Sequence, residues 1–233
     1  MTYDLKNEDD VKEYLKNLHT EYSFGCFSEK NPEVCHLLGE YYEAIKRDFK
    51  KSAEIHKNNC DNFDYGRSCT KYGRLSVIGE GCKKDAKTAF EYMRKGCELK
   101  DGAGCLYAGL LACSKDDVGR PDKKLLVNEG VAMMDKACSE LNEPRACFYL
   151  STIYLGGISG YFEKNLRKAY KLSLKCCENG NPYACANIAQ MHARGEGVEK
   201  NKELADTFRK RAVELENEMK SNQGIQFQQG IDT

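Results

Sequence analysis

Cysteines recur in regular pairs along this sequence of 233 residues, and the two members of each pair are eight or nine residues apart. The first cysteines of successive pairs are 34, 37, 41 and 39 residues apart. A period of this length is typical of stacked helical repeats, in which each unit packs on its neighbours. The pattern therefore predicts an array of five similar units. The five pairs are Cys26 with Cys35, Cys60 with Cys69, Cys97 with Cys105, Cys138 with Cys147, and Cys177 with Cys185.

Each unit carries the features of two helices separated by a turn. A small residue stands four positions after the second cysteine of every pair, so both residues lie on one helix face, where a neighbouring helix can approach closely. Glycine-rich and charged segments, such as residues 78–85 and 194–201, then end the first helix. An amphipathic segment, such as residues 85–97, follows and predicts the second helix. The small residues are Gly39, Gly73, Gly109, Ser151 and Ala189.

The cysteine spacing predicts five disulfides that join each unit to the next. Where the last turn of one unit lies antiparallel to the first turn of the next, the two Cα atoms can come within the roughly 4.4–6.8 Å that a disulfide needs. Closing a loop of about ten residues removes about 2.5–3 kcal/mol of chain entropy from the unfolded state. Two other interpretations remain open. Zinc sites use C-x₂₋₄-C steps, which this sequence lacks, and reduced cysteines can pack in the core of a cytosolic repeat protein.

Three cysteines remain once five pairs have formed: Cys82, Cys113 and one of Cys176 and Cys177. The eight-residue step favours Cys177 as the partner of Cys185, which makes Cys176 the remaining thiol, although spacing alone does not decide between them. The odd total of 13 cysteines leaves at least one thiol outside any intramolecular bridge.

Cys82, Cys113 and Cys176 are the candidates for a catalytic thiol. A nearby lysine would lower the pKa of a thiol and favour its exchange with a disulfide, as Lys83 would for Cys82 and Lys175 for Cys176. The opposite interpretation is an inert, buried cysteine, and the absence of any C-x-x-C redox motif favours it.

The four histidines, His19, His36, His56 and His192, are expected to be ordinary surface or half-buried residues. No C-x-x-C-H haem attachment motif occurs, and we predict no metal site. Neither a Ser-His-Asp constellation nor a glycine-rich phosphate loop can be assembled, so hydrolytic catalysis has no support. Tyrosines at helix positions, Tyr107 among them, are expected mainly in the core, with a minority lining a groove that anchors a peptide.

The charge balance excludes some classes of partner. Lys+Arg and Asp+Glu number 36 each, so no net field attracts phosphate backbones or anionic lipids. The longest apolar runs, such as residues 105–113, are about half the roughly 20 residues that a membrane-spanning helix needs. We therefore expect a monomer with protein partners, no nucleic acid and no insertion into a membrane.

The cysteine load and the start of the sequence together suggest a compartment. The acidic residues 1–15 lack the apolar region of a secretory signal and the Arg/Ser-rich character of a mitochondrial presequence, so we expect no cleavable address. Cysteine density this high normally marks an oxidising environment. The mitochondrial intermembrane space reconciles the two properties, and the bacterial periplasm is the alternative.

Residues 23–215 resemble the cysteine-rich Sel1-like repeats, which are related to tetratricopeptide repeats. The resemblance lies in the 34–41-residue units, the cysteine link, the small residue after it, and the Gly-Glu-Gly turns at residues 79–81 and 195–197. The acidic start and the five pairs are more similar to the mitochondrial branch of this family than to the bacterial one. That likeness implies a substrate of the oxidative import relay, needed to assemble respiratory complex IV. It also implies haem binding, without naming a ligand, and thiol-disulfide exchange with copper metallochaperones.

We therefore predict an all-α protein, an α/α solenoid of five Sel1-like helix-turn-helix repeats joined by five disulfides. Residues 1–22 are predicted to form a capping helix, residues 23–215 the solenoid, and residues 216–233 the end of a C-terminal helix and a flexible tail. The favoured function is a non-enzymatic scaffold that binds complex IV subunits or copper metallochaperones. The alternatives are a disulfide reductase acting through one of the remaining thiols, and a secreted repeat protein of the bacterial type.

Overall fold

A computed structural model of the chain describes residues 3–4 and 6–227. Over these residues the chain forms eleven α-helices, and its only β pairing is an isolated bridge between Ile158 and Phe162. The prediction of an all-α chain of the α/α solenoid class is thus confirmed. The helices fall into two compact units, residues 1–121 and residues 122–233.

The first unit contains six helices, each packed against the next in chain order, and the fourth also packs against the sixth. They are α1 (Glu8–Phe27), α2 (Pro32–Ala44), α3 (Phe49–Phe63), α4 (Gly66–Ile78), α5 (Ala86–Glu98) and α6 (Gly102–Cys113). The second unit contains the remaining five helices, which also pack in chain order. They are α7 (Lys123–Ser139), α8 (Pro144–Gly156), α9 (Leu166–Glu178), α10 (Pro182–Arg194) and α11 (Lys202–Phe227).

The short links between helices carry the residues that start and stop them. The side chain of Asn31 accepts hydrogen bonds from the backbone N–H groups of Glu33 and Val34, which caps the free amides at the start of α2. Pro32 takes the first helical position, where its missing N–H costs no hydrogen bond. Helix α4 ends at Gly79, whose φ of +88° lies in the left-handed region that glycine adopts without strain.

Close helix packing depends on the small residues predicted from the sequence. A Cβ on Gly73 of α4 would lie 2.7 Å from Cγ of Met93 and 2.9 Å from the carbonyl oxygen of Ala89, both on α5. Ser151 and Ala189 occupy the same repeat position in α8 and α10 and are buried. These positions therefore set how near the two helices of a repeat can lie.

The terminal helices are longer than the sequence indicated. Helix α1 continues past residue 22 to Phe27, so the capping helix itself carries Cys26. Gly25 does not break it, because the glycine packs against Val34 of α2, where a Cβ would lie 2.8 Å from Val34 Cγ1. Helix α11 runs past Lys220 to Phe227, and the rest of the predicted tail, residues 228–233, lies outside the described residues.

Within the described part of the chain, no helix is both long enough and apolar enough to cross a membrane.

Candidate functional site

Five disulfides cross the links between successive repeats. Each joins the end of one helix to the first turn of the next, with Cα atoms from 4.3 to 4.8 Å apart. Cys177, rather than Cys176, is the residue bridged to Cys185, which the spacing alone had left open. The bridged pairs are Cys26–Cys35, Cys60–Cys69, Cys97–Cys105, Cys138–Cys147 and Cys177–Cys185.

Polar side chains reinforce the bridge between Cys60 and Cys69. Asn59 Nδ2 donates to Ser68 Oγ at 2.8 Å and to the backbone carbonyl of Pro32, also at 2.8 Å. Lys95 on α5 donates from Nζ to the carbonyl oxygen of Cys60 at 2.8 Å. The end of α3 is therefore held by a covalent bond and by hydrogen bonds to three other helices.

Two histidines meet in the core of the first unit. The ring centroids of His36 on α2 and His56 on α3 are 5.0 Å apart, and both side chains are buried. Gly39 makes room for the His56 ring, since a Cβ at residue 39 would lie 2.5 Å from its Nε2 atom. His192 on α10 is buried as well, with Tyr170 3.1 Å from Nε2. The expectation of surface or half-buried histidines is therefore wrong for these three residues, because the small and polar residues around them leave space in the core.

Ser68 Oγ connects the two imidazoles and constrains which Nδ1 atom carries a proton. It lies 3.0 Å from Nδ1 of His36 and 3.4 Å from Nδ1 of His56, and it also accepts the Asn59 hydrogen bond. A hydroxyl donates only one proton, so it can donate to one ring while the other ring donates its Nδ1–H to the oxygen. Both contacts are therefore hydrogen bonds only when one ring carries a proton on Nδ1 and the other does not. Among the described residues, Nε2 of His56 has no hydrogen-bond partner and lies 3.9 Å from Glu40 Oε1.

Burial keeps both rings neutral. It lowers the pKa of His36 to about 4, with a further contribution from the Arg67 charge, while Glu40 acts in the opposite direction. Burial, followed by the His36 and Lys71 charges, also holds the pKa of His56 well below its usual value.

The fit of the residues to a metal or haem can be tested directly. In the described residues, no three His, Cys, Asp or Glu side chains are grouped so that they could hold a metal ion. The His36 and His56 rings face each other and Ser68 in a packed core. His192 is bonded to Tyr170 through Nε2 and lies 3.3 Å from the Glu199 carbonyl through Nδ1. All three imidazoles are buried and engaged by a neighbouring hydroxyl, so they do not fit an axial-ligand role.

The three cysteines outside the bridges lie in different surroundings. Cys82 is half-buried in the turn after α4, with its Sγ 3.6 Å from Ser76 Oγ, and Cys113 is half-buried at the end of α6. Cys176 is buried, and desolvation raises its pKa to about 11 despite the opposing Lys175 charge. The hypothesis that Lys175 activates Cys176 is therefore wrong, because burial outweighs the lysine.

The contact between α2 and α4 and the contact between α4 and α6 differ in the charged side chains they contain. Between α2 and α4, Lys71 is largely buried, and its Nζ lies 2.9 Å from a carboxylate oxygen of each of Glu40 and Glu43. Between α4 and α6 there is instead a groove of about 300 Å³, whose lining includes Arg74, Val77, Ile78, Met93, Tyr107 and Leu110. The groove lining contains no carboxylate and no histidine.

Comparison with known proteins gives the family. The Sel1 repeat family matches residues 66–101, 144–181 and 182–205. The cytochrome c oxidase assembly factor 7 homolog of Drosophila melanogaster is 41% identical, and the match covers 99% of this chain and 98% of the fly protein. This chain belongs to the cytochrome c oxidase assembly factor 7 family. Its human relative, cytochrome c oxidase assembly factor 7, is 33% identical across 96% of both chains.

Two bacterial proteins of known structure are similar in fold to this member of the cytochrome c oxidase assembly factor 7 family. A Sel1 repeat protein from Oxalobacter formigenes has a TM-score of 0.70 at 16% identity and covers 86% of this chain and 84% of its own. A protective antigen of uropathogenic Escherichia coli, described as displaying an SLR fold, has a TM-score of 0.72 at 18% identity. The match to the antigen covers 83% of this chain and 40% of the antigen. At these identities the likeness concerns the fold alone.

Sequence reasoning missed the histidine network and the α4–α6 groove. A signal for the groove was present, because aligning the repeats on their second cysteines places Arg74 opposite Glu40 and Val77 opposite Glu43. The same alignment places Tyr107 opposite Lys71. All three charged residues of the α2–α4 contact are thus replaced in the next repeat.

Proposed function

We propose that this protein is an assembly factor for cytochrome c oxidase, respiratory complex IV, and that it acts as a protein-binding scaffold in the mitochondrial intermembrane space. The observation that carries the proposal is the 41% identity across nearly the whole chain with the Drosophila cytochrome c oxidase assembly factor 7 homolog. Homologues of this similarity and coverage usually keep the same biological role, and helical repeats are recurrent protein-binding folds.

The disulfides support the proposed compartment. Five bridges persist only where thiols are not kept reduced, and the intermembrane space is an oxidising compartment. The partners we propose are subunits of complex IV or their copper metallochaperones, with the oxidative import relay acting on the chain during entry.

The thiols support a scaffold over an enzyme. A disulfide reductase needs an accessible thiolate, and Cys176 is buried with a raised pKa. Cys82 and Cys113 are half-buried, and each lies on a different segment of the first unit. A scaffold binds its partners through helix surfaces, and each bridge holds two neighbouring helices together.

The experiment is complementation of cells that lack their own cytochrome c oxidase assembly factor 7. The wild-type chain should enter the intermembrane space and restore assembled complex IV on native gels, together with oxygen consumption. A variant with Cys82, Cys113 and Cys176 all changed to Ser should restore complex IV equally well. If the wild-type chain does not restore complex IV, although its level equals that of the factor in normal cells, the assembly role is overturned. Failure of the triple variant alone would replace the scaffold with the thiol-disulfide oxidoreductase.

A further inference from the structure

Arg74 is a cation without a carboxylate at the edge of an apolar groove. It lies on the exposed surface of α4, and its guanidinium carbon is 5.1 Å from the centroid of the Tyr107 ring on α6. No described carboxylate lies within ion-pair distance of it. An arginine over an aromatic face keeps its N–H donors available, because the ring engages only the face of the guanidinium.

We propose that the groove between α4 and α6 binds a segment of a partner protein that presents apolar side chains next to a carboxylate. The apolar side chains enter the groove over Val77, Ile78 and Met93, and the carboxylate pairs with Arg74. This inference rests on the proposed scaffold function and specifies the chemistry of its partner.

The preceding repeat shows what the groove lacks. Between α2 and α4, the carboxylates of Glu40 and Glu43 both pair with Lys71 at 2.9 Å. In the α4–α6 contact, the residues equivalent to Glu40 and Glu43 are Arg74 and Val77. At the two repeat positions where α2 has carboxylates, α4 therefore has the cation of Arg74 and the apolar side chain of Val77. A ligand carboxylate would pair with Arg74 as Glu40 and Glu43 pair with Lys71 one repeat earlier.

The apolar lining supplies the second part of the recognition. Val77 and Ile78 expose 36% and 58% of their surface, which is high for branched aliphatic residues that lie beside each other. The volume of about 300 Å³ is at the lower end of the range for ligand pockets and suits side chains rather than a large cofactor. Tyrosine and arginine are among the residue types that contribute most to protein–protein affinity.

The experiment selects ligands from a phage-displayed library of random twelve-residue peptides, using the oxidised full-length protein as the target. Selected peptides should place Asp or Glu beside Leu, Ile, Val or Phe. One selected peptide, labelled with fluorescein, is then titrated by fluorescence anisotropy. Arg74→Glu should weaken its binding at least tenfold, and Ile78→Ser should do the same. A second peptide, with its acidic residue changed to Lys, should bind Arg74→Glu better than it binds the wild type.

Matched controls separate the groove from general changes in charge and hydrophobicity. Arg167→Glu makes the same charge change on the exposed surface of α9, and Val213→Ser removes an exposed apolar side chain from α11. Both should leave the affinity within twofold of the wild-type value. The proposal is overturned if no peptide is selected, if the selected peptides lack an acidic residue, or if Arg74→Glu binds as well as the wild type.

The complementation assay distinguishes failure of this proposal from failure of the proposed function. If Arg74→Glu loses peptide binding and complex IV assembly while Arg167→Glu keeps both, the groove is the scaffold's partner site. If the wild-type chain restores complex IV and Arg74→Glu restores it equally well, the groove proposal is wrong and the assembly function stands.

Discussion

Asn59 donates a hydrogen bond to Ser68 across 2.8 Å, and each residue lies immediately before one end of the Cys60–Cys69 disulfide. The covalent and the polar link therefore span the same loop. Asn59 is almost fully buried, so its hydrogen bonds are shielded from competing water. The link between α3 and α4 is consequently defined by side chains from both helices and not by the disulfide alone.

Removing this bridge should destabilise the protein without unfolding it. Changing both Cys60 and Cys69 to Ser releases a loop of about ten residues and should lower the free energy of unfolding by about 2–3 kcal/mol. The measurement is urea denaturation followed by far-UV circular dichroism, without reductant. Cys82→Ser, which breaks no bridge, is the control and should change the unfolding free energy by less than about 0.5 kcal/mol. Equal stability of the double variant and the wild type would contradict the prediction.

The neutral histidines should make the protein less stable in acid. The folded-state pKa of His36 is about 4, below the usual value of about 6.5, so the unfolded chain takes up protons first as the pH falls. The stability contributed by the neutral ring is complete above pH 6.5 and is lost as the pH falls from 6.5 towards 4. The loss should be on the order of 2–3 kcal/mol, because one pKa unit corresponds to about 1.4 kcal/mol.

The measurement is the free energy of unfolding of the wild type and of His36→Asn between pH 7.5 and pH 4. The carboxylates titrate in both proteins, so the difference between the two curves isolates the histidine. The difference should shrink as the pH falls. A difference that is constant over the whole range would show that His36 ionises alike in the folded and unfolded chain.

Gly39 should not tolerate replacement by alanine. Alanine at this position would place its Cβ 2.5 Å from Nε2 of His56, and that ring is fully buried. Gly39→Ala should therefore cost about 1–3 kcal/mol. Gly156→Ala, at the end of α8, is the matched control, since nothing lies within 4 Å of its added Cβ. Thermal melts that shift equally for the two variants would refute the packing role of Gly39.

Cys176 should resist alkylation in the folded protein. A thiol with a pKa of about 11 is about one part in a thousand thiolate at pH 8, and burial also blocks access to it. Iodoacetamide at pH 8 should therefore modify the half-buried Cys82 first. Mass spectrometry of peptides after timed alkylation gives the order, and urea-unfolded protein provides the control in which both thiols react. Modification of Cys176 at the rate of Cys82 in the folded state would contradict its burial.

The repeat and its bridges could be predicted from the sequence because they depend on local spacing. A second cysteine eight or nine positions after the first, with a small residue one turn later, specifies a helix junction without knowledge of distant residues. The buried pair of His36 and His56 could not be predicted in this way. Their environment depends on Gly39 and Ser68, which come from two different helices, and the other repeats contain no similar pair to signal it.

The α4–α6 groove was hidden for a related reason. Considered alone, Arg74 is an ordinary surface residue, and Tyr107 belongs to the tyrosines that the sequence places mainly in the core. These residues indicate a binding groove only by comparison with the ion pairs of Lys71 in the preceding repeat. Those ion pairs become evident only in the structure, where α2 contacts α4.

The shortness of every bridged loop has a consequence for how the chain acquires its structure. Each bridge joins cysteines eight or nine residues apart, so no bridge waits for a distant part of the chain to arrive. Contacts across loops of this length form in about 10–100 ns, far faster than the chemistry of oxidation. A polypeptide delivered end first, from a ribosome or through a narrow pore, can therefore be oxidised one junction at a time. Each closed junction then holds two neighbouring helices together and prevents the emerged segment from moving back through the pore.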